Sequence, residues 1–517
     1  MQILISGWLL PIIYLIGWLL VYALPGHHWS IARQTALIGL LATVASVVAA
    51  TAGSLIAGAG IDRLGLVAAL LVSLLGWVIV NFSSRYLAGD RLQSRFISAM
   101  LFTLTSVGVL LLSRHLLVIV LAWTGTSIGL HVLLTHYPER KAAQIVAHKK
   151  FLVSRCAELC LAVALLLIYA ACGTLQLDDL SFYLLNAETL PVSLHLAAVL
   201  FALAAILKTA QLPLHGWLIQ VMEAPTPVSA LLHAGVVNMG GFVLIRLAEL
   251  LSMAPAAQIV LVVAGSTTAV LASLVMLTRI SIKVRLAWST CAQMGFMLLE
   301  IGLGLYELAL LHLVAHSLYK AHAFLSAGDT VEAARHRDLF AGRANGESPW
   351  WTLLGALASG LLVSVSVWVW HGFLPGLSLP AATLVILSLG LAPLLWFGQG
   401  YQPALLLRGI ALVLGLTQLY LIWHLVFASI VPPAGALSGG LTAWVILCFT
   451  SLYGLQFWIR RYPRGQLATR LYPWAYNGFY LDETFTRITF RVWPARLSPT
   501  QAQTRVNRTL TPNGETV

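Results

Sequence analysis

Charge is the scarcest thing in this sequence. Only 9% of its 517 residues are Asp, Glu, Lys or Arg, and 59% are hydrophobic, where a soluble domain carries about 25% charged residues. Mean hydropathy is +0.88. That composition excludes an ordinary soluble enzyme and defines a polytopic membrane protein embedded in a lipid bilayer. Cysteine is also scarce. Cys156, Cys160, Cys172, Cys291 and Cys448 form no CxxC pair, so nothing supports a haem, iron–sulfur or zinc site, and no cofactor is expected. Without a phosphate-binding glycine loop or Walker motif, the chain is not expected to drive transport with ATP itself. Lysine is missing altogether from Ala321 to the C-terminus.

The charge that remains is unbalanced, with a formal net of +12. In a soluble protein this would suggest nucleic acid. In a membrane protein the collection of Lys and Arg on the cytoplasmic side explains it better, and no nucleic-acid partner is expected. Apolar runs predict fifteen spans near 4–24, 35–58, 64–83, 97–113, 115–134, 151–171, 191–211, 226–250, 256–278, 286–304, 308–327, 351–370, 381–399, 404–428 and 438–460. The first lacks a basic leader and a small-residue cleavage site, so it is expected to be a mature span and not a signal peptide. The loops holding Arg85, Arg91 and Arg95, then Arg140, Lys141, Lys149 and Lys150, then Arg279, Lys283 and Arg285, and the tail with Arg460, Arg461, Arg464 and Arg470, all fall on one side. The acidic loop with Asp178, Asp179 and Glu188 falls on the other. The N-terminus is therefore expected outside and the C-terminus in the cytoplasm. The chain divides into N-terminal helices (1–96), a first bundle with a broken helix (97–250), a second bundle (251–460) and a basic cytoplasmic tail (461–517).

One stretch organises the rest. From Ile206 to Arg246 the chain is apolar enough for lipid, yet it carries Lys208, His215, Glu223 and His233, with Pro213, Pro225 and Pro227 interrupting the helix beside them. Ionisable groups at membrane depth are costly and mark ion pathways. Irregular backbone there survives only in protein or at a water-filled cavity. Lys208, about one turn before the Leu-Pro break, is the candidate ion-handling group on a discontinuous helix; the alternative is a kinked packing helix whose lysine snorkels to the surface. A second cluster, His312, His316 and Lys320, recurs every four residues and so shares one helix face. Imidazole takes a proton on one nitrogen and releases one from the other, so such a ladder makes a proton wire. As a zinc site it is poor, because no carboxylate or cysteine stands nearby to complete the ligand set. Arg155 and Glu158, three residues apart, form a candidate ion pair. The proton path is thus expected to draw on Lys208, His233, His312, His316, Lys320, Glu158 and Glu223, with no catalytic residue and no metal.

The strings KTAQLPLHGWL, MEAPTPVSALLHAG, IKVRLAWSTCAQMGFM, HLVAHSLYKAHAFLSAG and NGFYLDETFTR resemble the antiporter-like subunits shared by respiratory complex I and multisubunit cation/proton antiporters. The resemblance covers most of positions 60 to 490. It implies an all-α bundle of about 14–15 transmembrane helices with inverted repeats and a broken helix 7, with Lys208 as the key lysine, His233 as a relay, and His312, His316 and Lys320 as part of a hydrated axis. Two departures stand out. Thr124 occupies the place of the family's helix-five glutamate, which leaves Glu158 as a possible substitute, and the exit-side lysine of the second half is missing. Within the family the chain is most similar to the membrane subunits of DAB-type inorganic-carbon accumulation complexes of the bacterial inner membrane. That implies a large cytoplasmic partner resembling a zinc β-carbonic anhydrase, whose one-way hydration of CO2 to bicarbonate is driven by H+ or Na+ flow. H+ is the default given lysine and histidine chemistry. A respiratory NADH dehydrogenase or cation/proton antiporter subunit is the alternative, and a passive anchor for a soluble enzyme the third.

Overall fold

The computed structural model describes residues 7–492 apart from position 25 and the stretches 58–61, 330–349, 375–376, 378, 397–402 and 432–437. The helices run in order α1 (Leu9–Ala23), α2 (His28–Ala57), α3 (Arg63–Tyr86), α4 (Gln93–Leu112), α5 (Leu116–Leu134), α6 (Lys141–Cys172), α7 (Leu177–Asn186) and α8 (Val192–Lys208). After the break come α9 (Gly216–Ile219), α10 (Thr226–Ala234), α11 (Met239–Arg246), α12 (Ala248–Ser252), α13 (Pro255–Leu277), α14 (Ile282–Gly302) and α15 (Tyr306–Leu325). The second half adds α16 (Trp350–Phe373), α17 (Ala381–Leu391), α18 (Pro403–Ala428), α19 (Gly439–Arg461) and two tail helices, α20 (Gln466–Tyr476) and α21 (Leu481–Val492).

Each of the fifteen expected spans has a helical counterpart, and among the described residues there is no strand. Among the described residues ten helical segments are long and apolar enough to cross a membrane, the α10–α11 stretch counted as one. The shorter α1, α8 and α17 are apolar as well. Burial sorts the spans by position. The α10–α11 span is 94% buried and lies at the centre, while α18 and α19 are 22% and 11% buried and present leucine and tryptophan to the surroundings.

In lipid there is no hydrophobic drive to bring helices together, so small residues must let backbones approach. Gly125 and Gly129 of α5 give that close approach to Ser106 and Thr103 of α4. Gly265 of α13 and Gly295 of α14 do the same, each lying under the other's carbonyl, so a Cβ at either would push the two helices apart.

Successive spans alternate in direction, so the ends of the bundle can be assigned. One end gathers the basic loops after α3, α5 and α13 with the tail, and contacts tie it together: His136 to Asp90 at 3.4 Å and Lys283 to Thr226 at 2.9 Å. The other end carries Asp62, which caps α3 through the Gly65 amide at 2.9 Å and binds Arg246 at 2.9 and 2.5 Å. One boundary differs from expectation. Lys149 and Lys150 were expected in a basic loop, but α6 begins at Lys141 and carries both inside the bundle, where they are buried. A hydropathy window starts a span where charge stops, so it misses polar turns that the protein itself covers.

Candidate functional site: a buried lysine–histidine axis

The break after α8 arises from local chemistry. Pro213 removes a backbone donor, Ala210 adopts a left-handed φ of 55°, and its carbonyl accepts the Cys291 thiol at 3.2 Å. A non-glycine residue held there costs about 1–2 kcal/mol, which the surrounding packing must offset. The chain then runs through Thr209–His215, the single turn α9 and a 3-10 turn, Gln220–Glu223, before α10 starts. A second interruption was not expected. The next span breaks at Gly235, where a 3-10 turn, Val236–Asn238, separates α10 from α11 directly after His233. The amide of Asn238 fills the gap by donating to Ala234 O at 3.0 Å and Ser317 Oγ at 2.7 Å.

Lys208, the last residue of α8, does not snorkel. It is 9% exposed; its Nζ donates to Ser127 Oγ at 3.1 Å, stands 3.7 Å from Glu158 Oε1 and lies 5.0 Å from the centre of the Trp123 ring. Glu158 in turn binds Arg155 at 2.8 Å. The carboxylate that faces the lysine therefore comes from α6, while Thr124 on α5 folds its hydroxyl back to its own helix at Val120 O, 3.0 Å. Lys150 enters the same site, donating to Ser127 O at 2.9 Å. Two buried amines thus share one serine, across a cavity of about 20 Å³ lined by Trp123, Ser127, Lys150, Lys208 and Trp217, room for about one water molecule. Neither Ser127 nor Lys150 was singled out from the sequence. The spacing Lys150–Glu158, about two helical turns along α6, is a signal for Lys150; Ser127 is on α5, and no spacing within α6 reports it.

The second part of the axis lies between α10, α14 and α15. Lys320 is fully buried and donates to Leu286 O at 3.0 Å and Ser289 Oγ at 2.7 Å. His233 is stacked on Phe324 with centroids 4.5 Å apart, and among the described residues neither of its ring nitrogens has a partner; the same is true of both nitrogens of His316. The rings of His312 and His316 are 5.9 Å apart. Buried polar nitrogens without partners are rare and ask for water or a transferred proton. The expected helix face is present, since His312, His316 and Lys320 all lie on α15 facing α14 and α10. Contrary to the expectation from sequence, a carboxylate stands beside this cluster. Glu300 of α14 accepts from His312 Nδ1 at 2.9 Å. It escaped notice because it is twelve residues back, on another helix. The Glu223 side chain lies outside the described residues.

The tail closes the basic end. Asp482 of α21 accepts from Lys149 Nζ at 2.9 Å and from Gln220 Nε2 at 2.7 Å, and Gln220 Oε1 accepts from Lys149 at 3.2 Å. Asp482 sits against the bare Cα of Gly216 on the broken segment, so α21 is docked onto the break. Lys149 has no exposed side-chain area. Asp482→Ala is expected to lower stability by about 3 kcal/mol, because it strands a buried ammonium. The check is thermal unfolding of the purified protein, together with faster tryptic cutting after Arg487 and Arg491.

Buried lysines and histidines on discontinuous helices inside an all-α bundle are the features of an ion-handling membrane subunit. The comparisons agree with that class. The family described as NADH:quinone oxidoreductase/Mrp antiporter, transmembrane part, matches residues 113–346. The protein named "Probable inorganic carbon transporter subunit DabB" of Hydrogenovibrio crunogenus is 38% identical over 485 residues, 91% of each chain. Its counterpart DabB2 of Halothiobacillus neapolitanus is 39% identical over 468 residues, 86% of this chain and 84% of that one. Among solved structures, the Mrp complex from Dietzia sp. DQ12-45-1b superposes with a TM-score of 0.59 at 22% identity, covering 96% of this chain and 60% of that one. The chain belongs to the DabB family of inorganic carbon transporter subunits, within the complex I/Mrp antiporter-like proteins. These two relatives are named as probable transporter subunits.

Proposed function

We propose that this chain is the proton-conducting membrane subunit of an inorganic-carbon pump, and that proton flow through it drives one-way hydration of CO2 to bicarbonate by a large cytoplasmic partner resembling a zinc β-carbonic anhydrase. The observation that carries the proposal is Lys208, an amine held between Glu158 and Ser127 at the end of a broken helix. An ionisable group held at membrane depth beside a carboxylate is the kind that takes up a proton and passes it on. His233, Lys320, His316 and His312 continue the route on neighbouring helices. The transporter names of the DabB relatives support the carbon assignment. In this reading the subunit sits in the bacterial inner membrane with the basic end and the tail in the cytoplasm, following the distribution of Lys and Arg. The cytoplasmic partner would then meet the end where α21 covers the break.

The test is co-expression with the neighbouring gene in a bacterium lacking carbonic anhydrase. Growth in ordinary air that is lost on adding a protonophore is the expected result. Failure to rescue growth, with both proteins present in the membrane fraction, would remove the carbon assignment. Co-purification with quinone-reductase subunits would move the chain to the respiratory alternative.

A further inference from the structure

The route described so far ends at His312, and the second half has no lysine to continue it. A group of buried ionisable and hydroxyl side chains lies directly beyond. Glu300, near the end of α14, is 7% exposed and holds His312 Nδ1 at 2.9 Å, while His312 Nε2 has no partner. Glu307, in the first turn of α15, is also 7% exposed and faces His424 of α18 at 3.8 Å. Tyr420, one turn before His424, stacks its ring on that histidine with centroids 6.5 Å apart. Its hydroxyl is buried without a partner. Thr383, at the start of α17, is 8% exposed and its hydroxyl is equally unpartnered.

Glu300, Thr383 and Tyr420 line one cavity of about 260 Å³ between α14, α15, α17 and α18, whose remaining wall is leucine, isoleucine, Phe296 and Gly390. A buried water needs roughly 15 Å³ and two to four polar partners. This cavity offers several times that space and three polar groups, two of them hydroxyls with nothing else to bind. Its position in the bundle matters as much. It lies where α14 ends, α15 and α17 begin and α18 nears its end, which is the end opposite the basic loops and the tail.

We propose that Glu300 is the release-side proton group of this chain and stands in for the lysine that the second half lacks. The proposal rests on the proton-conducting reading given above. His312 accepts a proton at Nε2 and gives up the one on Nδ1 to the Glu300 carboxylate, so the imidazole returns to a neutral state with its tautomer exchanged. The protonated Glu300 passes the proton to water held in the cavity by Thr383 and Tyr420. Glu307 and His424, at the same end, are the next acceptors toward the surface. A carboxylate suits this position because the transfer is between oxygen and water, over one hydrogen bond, without a long flexible amine.

The experiment uses the complete complex with its partner, reconstituted into liposomes loaded with a pH-sensitive dye and driven by a potassium diffusion potential. Glu300→Gln is expected to lower the proton flux about 100-fold. Glu300→Asp is expected to keep a measurable part of it, and Thr383→Val to lower it less than Glu300→Gln. A hydrophobic carbodiimide, which reacts with protonated carboxyls away from water, is expected to modify Glu300 and block flux in step with the modification. Lys208→Met is run in parallel. If Lys208→Met stops the flux and Glu300→Gln leaves it at the wild-type rate, conduction stands and the release group is not Glu300. If the wild-type complex itself carries no protons, both the conduction and its exit are overturned. Should Glu300→Gln fail to assemble, the carbodiimide decides: full modification of Glu300 with unchanged flux overturns the proposal.

Discussion

Lys208→Arg is expected to abolish energy-coupled transport as completely as Lys208→Met, although it preserves the positive charge. Lys208 Nζ has one hydroxyl at 3.1 Å and one carboxylate oxygen at 3.7 Å, a sparse shell for an ammonium out of water. Such a site leaves the neutral amine accessible, which is what a carrier of protons requires. Guanidinium does not lose its proton in a protein, so Arg would pair permanently with Glu158 and hold the site in one state. The loss in transport for either variant should be about 100-fold or more, the scale for removing a group that itself transfers a proton. Assembly should survive in Lys208→Arg, since its charge still answers Glu158. The comparison therefore separates a titrating role from a structural one: a lysine that only anchored the helix would be replaced by arginine with little effect. The measurement is growth in air of the carbonic-anhydrase-deficient strain, with membrane levels of both subunits checked by blotting.

The second large effect is expected at Lys320. It is fully buried, and among the described residues its hydrogen bonds go to neutral oxygens of α14 and no carboxylate pairs with it. An unpaired ammonium in that environment is expensive, so Lys320→Met should leave the fold intact or raise its stability while stopping proton passage between His233 and His316. This opposite movement of stability and activity is the distinguishing feature. Residues kept for packing lose both together, whereas functional sites are expected to cost stability. Thermal unfolding of the purified variant and proton flux in liposomes check the two halves. A variant that unfolds earlier and still conducts would place Lys320 among the packing residues.

Much of this fold was legible in the sequence, for a simple reason. A bilayer demands runs of about twenty apolar residues with their backbone satisfied internally, and that signal does not depend on tertiary context. Hence all fifteen spans were found. Lys208, His233 and the His312–Lys320 ladder were visible because an ionisable group inside such a run is costly and stands out from its apolar neighbours. What the sequence hid was charge at the edges of runs. Lys149 and Lys150 looked like loop residues until α6 proved to start at Lys141. Glu300 and Glu307 stand near span ends, where an acidic residue usually meets water. Glu158 as the partner of Lys208 in place of Thr124 was offered by the family resemblance, whereas the pairing of Lys149 with Asp482 in the tail depends on which helices are neighbours in space. No periodicity within one helix reports that.

The account depends on Lys208 changing its charge state within a path that carries protons. The most direct measurement is the initial rate of proton uptake by liposomes containing the full complex under an imposed potential, for the wild type against Lys208→Arg. The account predicts rapid uptake by the wild type and no uptake above empty liposomes for the variant. Equal rates for the two would contradict it.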